Sequence, residues 1–218
     1  MNNDTIREVF GRLEEEMKVW ETPLVDAMAA TGDDPFRILI ATILSLRTRD
    51  TVTSVVSPKL FERADTPEAI LALSREELRE IIRPVGFYNN KTDTIRKICQ
   101  QLLDKYGGQV PDELNELLKL PGVGRKTANL VVIAGYNKPG ICVDTHVHRI
   151  SNRFAYVKTK NADKTEMALR KKLPPDLWMD INRLLVSLGQ NICHPTSPKC
   201  SICAINDLCP RIGVTRSR

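Results

Sequence analysis

Gly122-Val123-Gly124 places two glycines around one apolar residue, which lets a chain turn tightly into a helix whose first N–H groups lack intrahelical acceptors. Such donors suit a phosphate. Because they belong to the backbone, they would position a polyanion without reading its sequence. An ordinary turn between helices uses the same glycines. Lys126 follows in the first turn of that helix, where the positive end of the helix dipole disfavours an ammonium and favours the neutral, nucleophilic amine. Asp144 lies 18 residues further on, in Cys142-Val143-Asp144-Thr145-His146, where it can cap the next helix. A neutral lysine is a nucleophile and a helix-capping aspartate is held ionised by backbone N–H groups, although a solvated lysine and a plain helix cap share the same pattern.

Four of the six cysteines, Cys193, Cys200, Cys203 and Cys209, are separated by six, two and five residues, with Pro195, Pro198 and Pro210 keeping the backbone irregular. Thiolates bind soft metals, so one compact loop with four of them reads as a metal site rather than a disulfide framework. The spacing alone leaves tetrahedral zinc and a four-iron cluster both open. Cys99 and Cys142 stand among apolar neighbours and are expected in the core.

The elements that must position these groups are helices, since helical punctuation recurs along the chain and alternating strand patterns are hard to find. Asp34-Pro35 and Thr66-Pro67 read as N-caps with proline at the first helical position. Ser74 with Glu77 forms a capping box, and Pro84 and Gly86 stop that helix. Tyr106-Gly107-Gly108 ends the next, and Asp112 is expected to open a short helix bearing Leu114, Leu117 and Leu118. A further apolar helix should run from about Arg125 to Ala134, another should follow Asp144, and Asp176 is expected to open the last, carrying Leu177, Ile181, Leu184, Leu185 and Leu188. The fold class is all-α.

The chain's 32 basic against 27 acidic residues give +5, which permits a polyanionic partner without requiring one. No apolar run is long enough to span a membrane and the first residues do not resemble a signal peptide, so an intracellular protein of the cytoplasm or nucleoid is expected. Lys158, Lys160, Lys164, Lys171 and Lys172 form a basic stretch that is either a solvated face or a flank for DNA.

Leu120-Pro121-Gly122-Val123-Gly124-Arg125-Lys126-Thr127-Ala128, followed by Val143-Asp144-Thr145-His146-Val147, resembles the signature of the helix-hairpin-helix DNA glycosylases, in the endonuclease III branch. The resemblance runs from the helix after Asp34 to Cys209. It implies a two-lobed fold, with a helical barrel over residues 28–138 and a second lobe from residues 1–27 and 139–218, and DNA bound between them. It implies that Lys126 attacks the sugar, displaces a damaged base and forms a Schiff base that undergoes β-elimination, with Asp144 activating the amine and stabilising charge. Adenine and thymine-mismatch glycosylases of the superfamily lack that lysine, so the resemblance favours a bifunctional glycosylase and abasic-site lyase. The six-two-five cysteine spacing is similar to the family's iron-sulfur loop and implies a [4Fe-4S] cluster over residues 193–209, with Lys199 turned toward the DNA backbone.

One departure concerns the residue that fills the gap left by a flipped base. Bacterial relatives carry glutamine after a Leu-Ser-Ala stretch, whereas Leu44-Ser45-Leu46-Arg47 stands here, and Arg47 is expected to stack and pair in its place. Phe87 occupies what resembles the second wedge position, with a core aromatic as the alternative. The expected partner is double-stranded DNA with oxidised pyrimidines or abasic sites, met by a monomer. Two alternatives are a mismatch or oxidised-purine glycosylase on the same fold, and a non-catalytic DNA-binding module.

Overall fold

The computed structural model describes the chain apart from residues 21–23 and 31 and the side chains of residues 26 and 30. Among the described residues the secondary structure is helical throughout, and no helix is long and apolar enough to cross a membrane. The chain divides into two compact units. One is continuous, Pro23–Lys138, and the other is assembled from Met1–Thr22 and Pro139–Arg218.

The continuous unit is built around α3 (Pro35–Ser45), after α1 (Asn3–Met17) and α2 (Leu24–Ala30). Phe36 and every residue from Ile38 to Leu44 are buried, so α3 has no solvent face and must be surrounded. Around it stand α4 (Asp50–Arg63), α7 (Tyr88–Tyr106) and α9 (Arg125–Tyr136), with α5 (Pro67–Ala72) and α6 (Arg75–Ile82) laid on α7, and the single turn α8 (Leu114–Leu117) on α9. Each fully buried leucine or isoleucine of α3 contributes roughly 1.5–3 kcal/mol relative to exposure. Gly135 lets α9 come close to α3: a Cβ there would lie 3.3 Å from Pro35.

In the second unit, Ile6, Val9, Phe10 and Leu13 form one buried stripe of α1. They share a core with Val147 and Ile150 of α10 (Thr145–Arg153), Leu169 of α11 (Ala162–Lys172), and Ile181, Leu184, Leu185 and Leu188 of α12 (Asp180–Asn191).

Local punctuation accounts for most boundaries. The Asp34 carboxylate accepts from Phe36 N–H at 2.7 Å, Thr66 caps Ala69, and Ser74 and Glu77 close the capping box in both directions. Two expected helix starts are displaced. Asp112 does not open α8, whose N-cap is Glu113; its carboxylate instead accepts from Lys138 Nζ at 2.7 Å. Asp176 does not open α12: Pro175–Leu177 is a 3-10 turn and the α-helix starts at Asp180. Pro174 and Pro175 supply no N–H donors there, and both Asp176 oxygens are held by Arg7 from α1.

Candidate active site and thiol loop

The turn between α8 and α9 is tight because Gly122 adopts φ +73°, and a Cβ at that position would meet Thr94 Cγ2 at 2.7 Å. Gly122 and Gly124 are exposed, whereas Val123 is buried and its N–H donates to Leu120 C=O at 3.2 Å. Val123 therefore anchors the turn from inside while the glycines present its surface. Gly124 is the N-cap of α9, and no side chain caps that end, so the positive pole of the helix faces outward beside it. Lys126 is exposed in this first turn.

Asp144 is the N-cap of α10, its Oδ1 accepting from His146 N–H and Val147 N–H, both at 2.8 Å. Buried Ile141, Cys142 and Val143 fix the approach, and Asn182 Nδ2 donates to Cys142 C=O at 3.2 Å. Gly189 of α12 admits the start of α10, since a Cβ there would fall 2.2 Å from His146 Nδ1. The last turn of α10 reaches a different feature of the same unit. Arg149 Nη2 donates to Cys193 C=O at 2.8 Å, and Arg153 donates to Cys193 Sγ at 3.1 Å and to the carbonyls of His194 and Pro195 at 2.8 Å each. One nine-residue helix thus carries Asp144 at one end and grips the cysteine loop at the other.

Cys193, Cys200, Cys203 and Cys209 all line one small void of about 20 Å³, shared with Phe154 and Leu188. Burial pushes the Cys203 thiol up to about 11 and raises that of Cys209, while N–H groups of Ile205 and Arg211 work the other way. Those N–H donors, and Arg153 on Cys193, are oriented to stabilise negative sulfur. Among the described residues, no three His, Cys, Asp or Glu side chains close on a single-ion position. Four thiols lining one void are a donor set that fits a soft metal centre. Lys199 is half-buried on this loop and its N–H donates to Ile192 C=O at 3.0 Å. Cys99 and Cys142 are fully buried, away from these four in sequence.

Arg47 and Phe87 are brought together. The Arg47 guanidinium carbon lies 5.5 Å from the centroid of the Phe87 ring. Phe87 is 60% exposed, which removes its alternative reading as a core aromatic. Both adopt left-handed backbone, φ +54° and +59°, a region that costs an L-residue roughly 1–2 kcal/mol. Gly86 permits their loops to approach, because a Cβ there would lie 2.7 Å from the Arg47 carbonyl oxygen. Backbone cannot yield as a flexible side chain does. Gly86→Ala is expected to lower stability by about 1–3 kcal/mol and to splay the two loops, read as a lower thermal midpoint.

Sequence reasoning missed Arg149, Arg153, Gly189 and Lys91. The i, i+4 pair of arginines directly behind Asp144 was a usable signal for the first two. Lys91 sits in Asn89-Asn90-Lys91-Thr92-Asp93, a polar run that reads as a solvated face, yet it is buried.

Residues 40–175 match the HhH-GPD superfamily of base excision DNA repair proteins. Endonuclease III of Thermotoga maritima is 52% identical over 176 residues, covering 81% of this chain and 83% of that protein. The chain belongs to the endonuclease III family. Endonuclease III-like protein 1 of Gallus gallus is 44% identical over 178 residues, covering 80% of this chain and 63% of the longer relative. A solved structure of a trapped endonuclease III–DNA covalent intermediate superposes with a TM-score of 0.86 at 36% identity, covering 97% of each chain. Membership of the endonuclease III family fits a metal cluster in the thiol loop.

Proposed function

We propose that the chain is a base-excision repair DNA N-glycosylase with abasic-site lyase activity, acting on double-stranded DNA that carries oxidised pyrimidines or abasic sites. The observation that carries this reading is an exposed lysine in the uncapped first turn of a glycine hairpin helix, on a chain 52% identical to an endonuclease III. The Lys126 amine attacks C1′ of the sugar, the C1′–N bond breaks, and the base leaves with the bonding pair and a proton. Loss of the amine proton and opening of the sugar ring give a Schiff base. Removal of a proton from C2′ then expels the 3′ phosphate by β-elimination. Asp144 assists by stabilising positive charge on the sugar and receiving a proton from the amine.

The exposed faces of Gly122 and Gly124, with the uncapped end of α9, would hold a phosphate of the bound strand. Val123 supports that turn, Lys199 would add positive charge, and Arg47 and Phe87 would fill the space vacated by the flipped base. The helical barrel would span residues 28–138 and the cluster lobe residues 1–27 and 139–218, a division supported by two compact units that part at Lys138. The protein acts as a monomer inside the cell.

Cys193, Cys200, Cys203 and Cys209 would hold a [4Fe-4S] cluster, whose contribution is to fix the loop, with no part in breaking bonds. Purified protein should be brown, with broad visible absorption and iron and sulfide in equal amounts, and Cys203→Ser should lose most of both together with much of its thermal stability. A colourless protein carrying one zinc ion overturns the cluster.

Borohydride reduction during reaction with a duplex containing oxidised thymine, and with one containing an abasic site, tests the function. A covalent protein–DNA adduct on both is expected. An adduct on neither refutes the lyase chemistry, and an adduct on the abasic site alone refutes excision of that base.

A further inference from the structure

Lys91 is 7% exposed in the first turn of α7, a few residues behind Phe87. Its Nζ donates to the carbonyls of Leu44 and Leu46, both at 2.7 Å, and to Thr48 Oγ1 at 2.9 Å, which uses all three ammonium protons. Thr48 Oγ1 also accepts from Gly86 N–H at 3.0 Å, and Lys91 N–H donates to Phe87 C=O at 3.0 Å. The bonds form an unbroken path from the residues flanking Arg47 to those flanking Phe87.

We infer that Lys91 is a positioning residue that ties the loop presenting Arg47 to the loop presenting Phe87, so that the two side chains meet DNA as one preset wedge. The inference rests on the wedge role proposed above for Arg47 and Phe87. Three observations support it. The lysine reaches the carbonyl end of α3, where a cation is favoured by the helix dipole. Left-handed backbone at a bulky residue persists only when its surroundings over-determine it, and this tie holds the neighbours of two residues in that conformation, Arg47 and Phe87. Burial pushes the ammonium down to about 8, a penalty that a polar side chain at a surface position would avoid. A wedge fixed before DNA arrives loses less conformational freedom on insertion.

The test compares Lys91→Met in the wild-type chain and in an Arg47→Ala/Phe87→Ala background, under single-turnover conditions. The substrates are a duplex with paired oxidised thymine, which requires base flipping, and a single strand with an abasic site, which does not. In the wild-type chain, Lys91→Met should slow duplex excision about 10-fold or more and change single-strand cleavage less than about 2-fold. In the wedge-less background it should add less than about 2-fold. Equal losses on both substrates, or the same loss in both backgrounds, would show a general structural role and overturn the inference. Normal duplex excision by the Arg47→Ala/Phe87→Ala chain would instead refute the wedge itself, and the tie with it, whatever Lys91→Met does. Should Lys91→Met not fold, Thr48→Val, which deletes the hydroxyl joining Lys91 to Gly86, is carried through the same comparison.

Discussion

Lys126→Gln should abolish the borohydride-trapped adduct and lower excision and strand cleavage by about 10³-fold or more, because it deletes the nucleophile rather than weakening a contact. Lys126 is exposed in the first turn of α9, and Gln is nearly as good a helix former, so stability should change by less than about 0.5 kcal/mol. The exposed hairpin glycines remain, so the variant should still bind an abasic-site duplex within about 10-fold of wild type, one phosphate-scale cation being worth no more than that. Inactivity with retained binding and folding separates an enzyme from a docking module. Trapping that survives in Lys126→Gln would move the Schiff base to another amine and refute this assignment.

Asp144→Asn should be almost as damaging to catalysis and nearly silent in folding. The carboxylate caps α10 through two 2.8 Å bonds from N–H groups, and asparagine is as good an N-cap as aspartate. Its amide oxygen can keep those bonds while the negative charge is lost. A stability change under about 1 kcal/mol is therefore expected beside a loss of about 10²–10³-fold in excision, the usual cost of deleting one electrostatic group at a charge-developing centre. Asp144→Ala is the contrasting control, since it also removes the cap and should lower the thermal midpoint. An Asp144→Asn protein with near-normal excision would reduce Asp144 to a cap.

What is legible from sequence is what is local. Asp34, Thr66, Ser74 and Asp144 each cap a helix within three residues of themselves, so residue type and spacing suffice to find them. Asp112 and Asp176 look the same in sequence, but Lys138 and Arg7 claim their carboxylates from 26 and 169 residues away. No local pattern encodes that competition. The candidate site divides similarly. The glycine hairpin with its lysine and the run of four thiols declare themselves by spacing, whereas the pairing of Arg47 with Phe87 is long-range, and the buried Lys91 between their loops answers to carbonyls 45 and 47 positions back.

Contact between Ser201 N–H and Arg218 C=O, and between Arg218 N–H and Pro198 C=O, wraps the far end of the thiol loop in residues near 218, while the unit they complete begins with α1. During synthesis, residues 23–138 can collapse as soon as they leave the ribosome, because every partner they need is already present. The α1 stripe has no such option and must wait, apolar face exposed, until α10 and α12 emerge. Assembly thus runs from the middle of the chain outward, and the thiol loop closes only once α10 and the residues near 218 are both present.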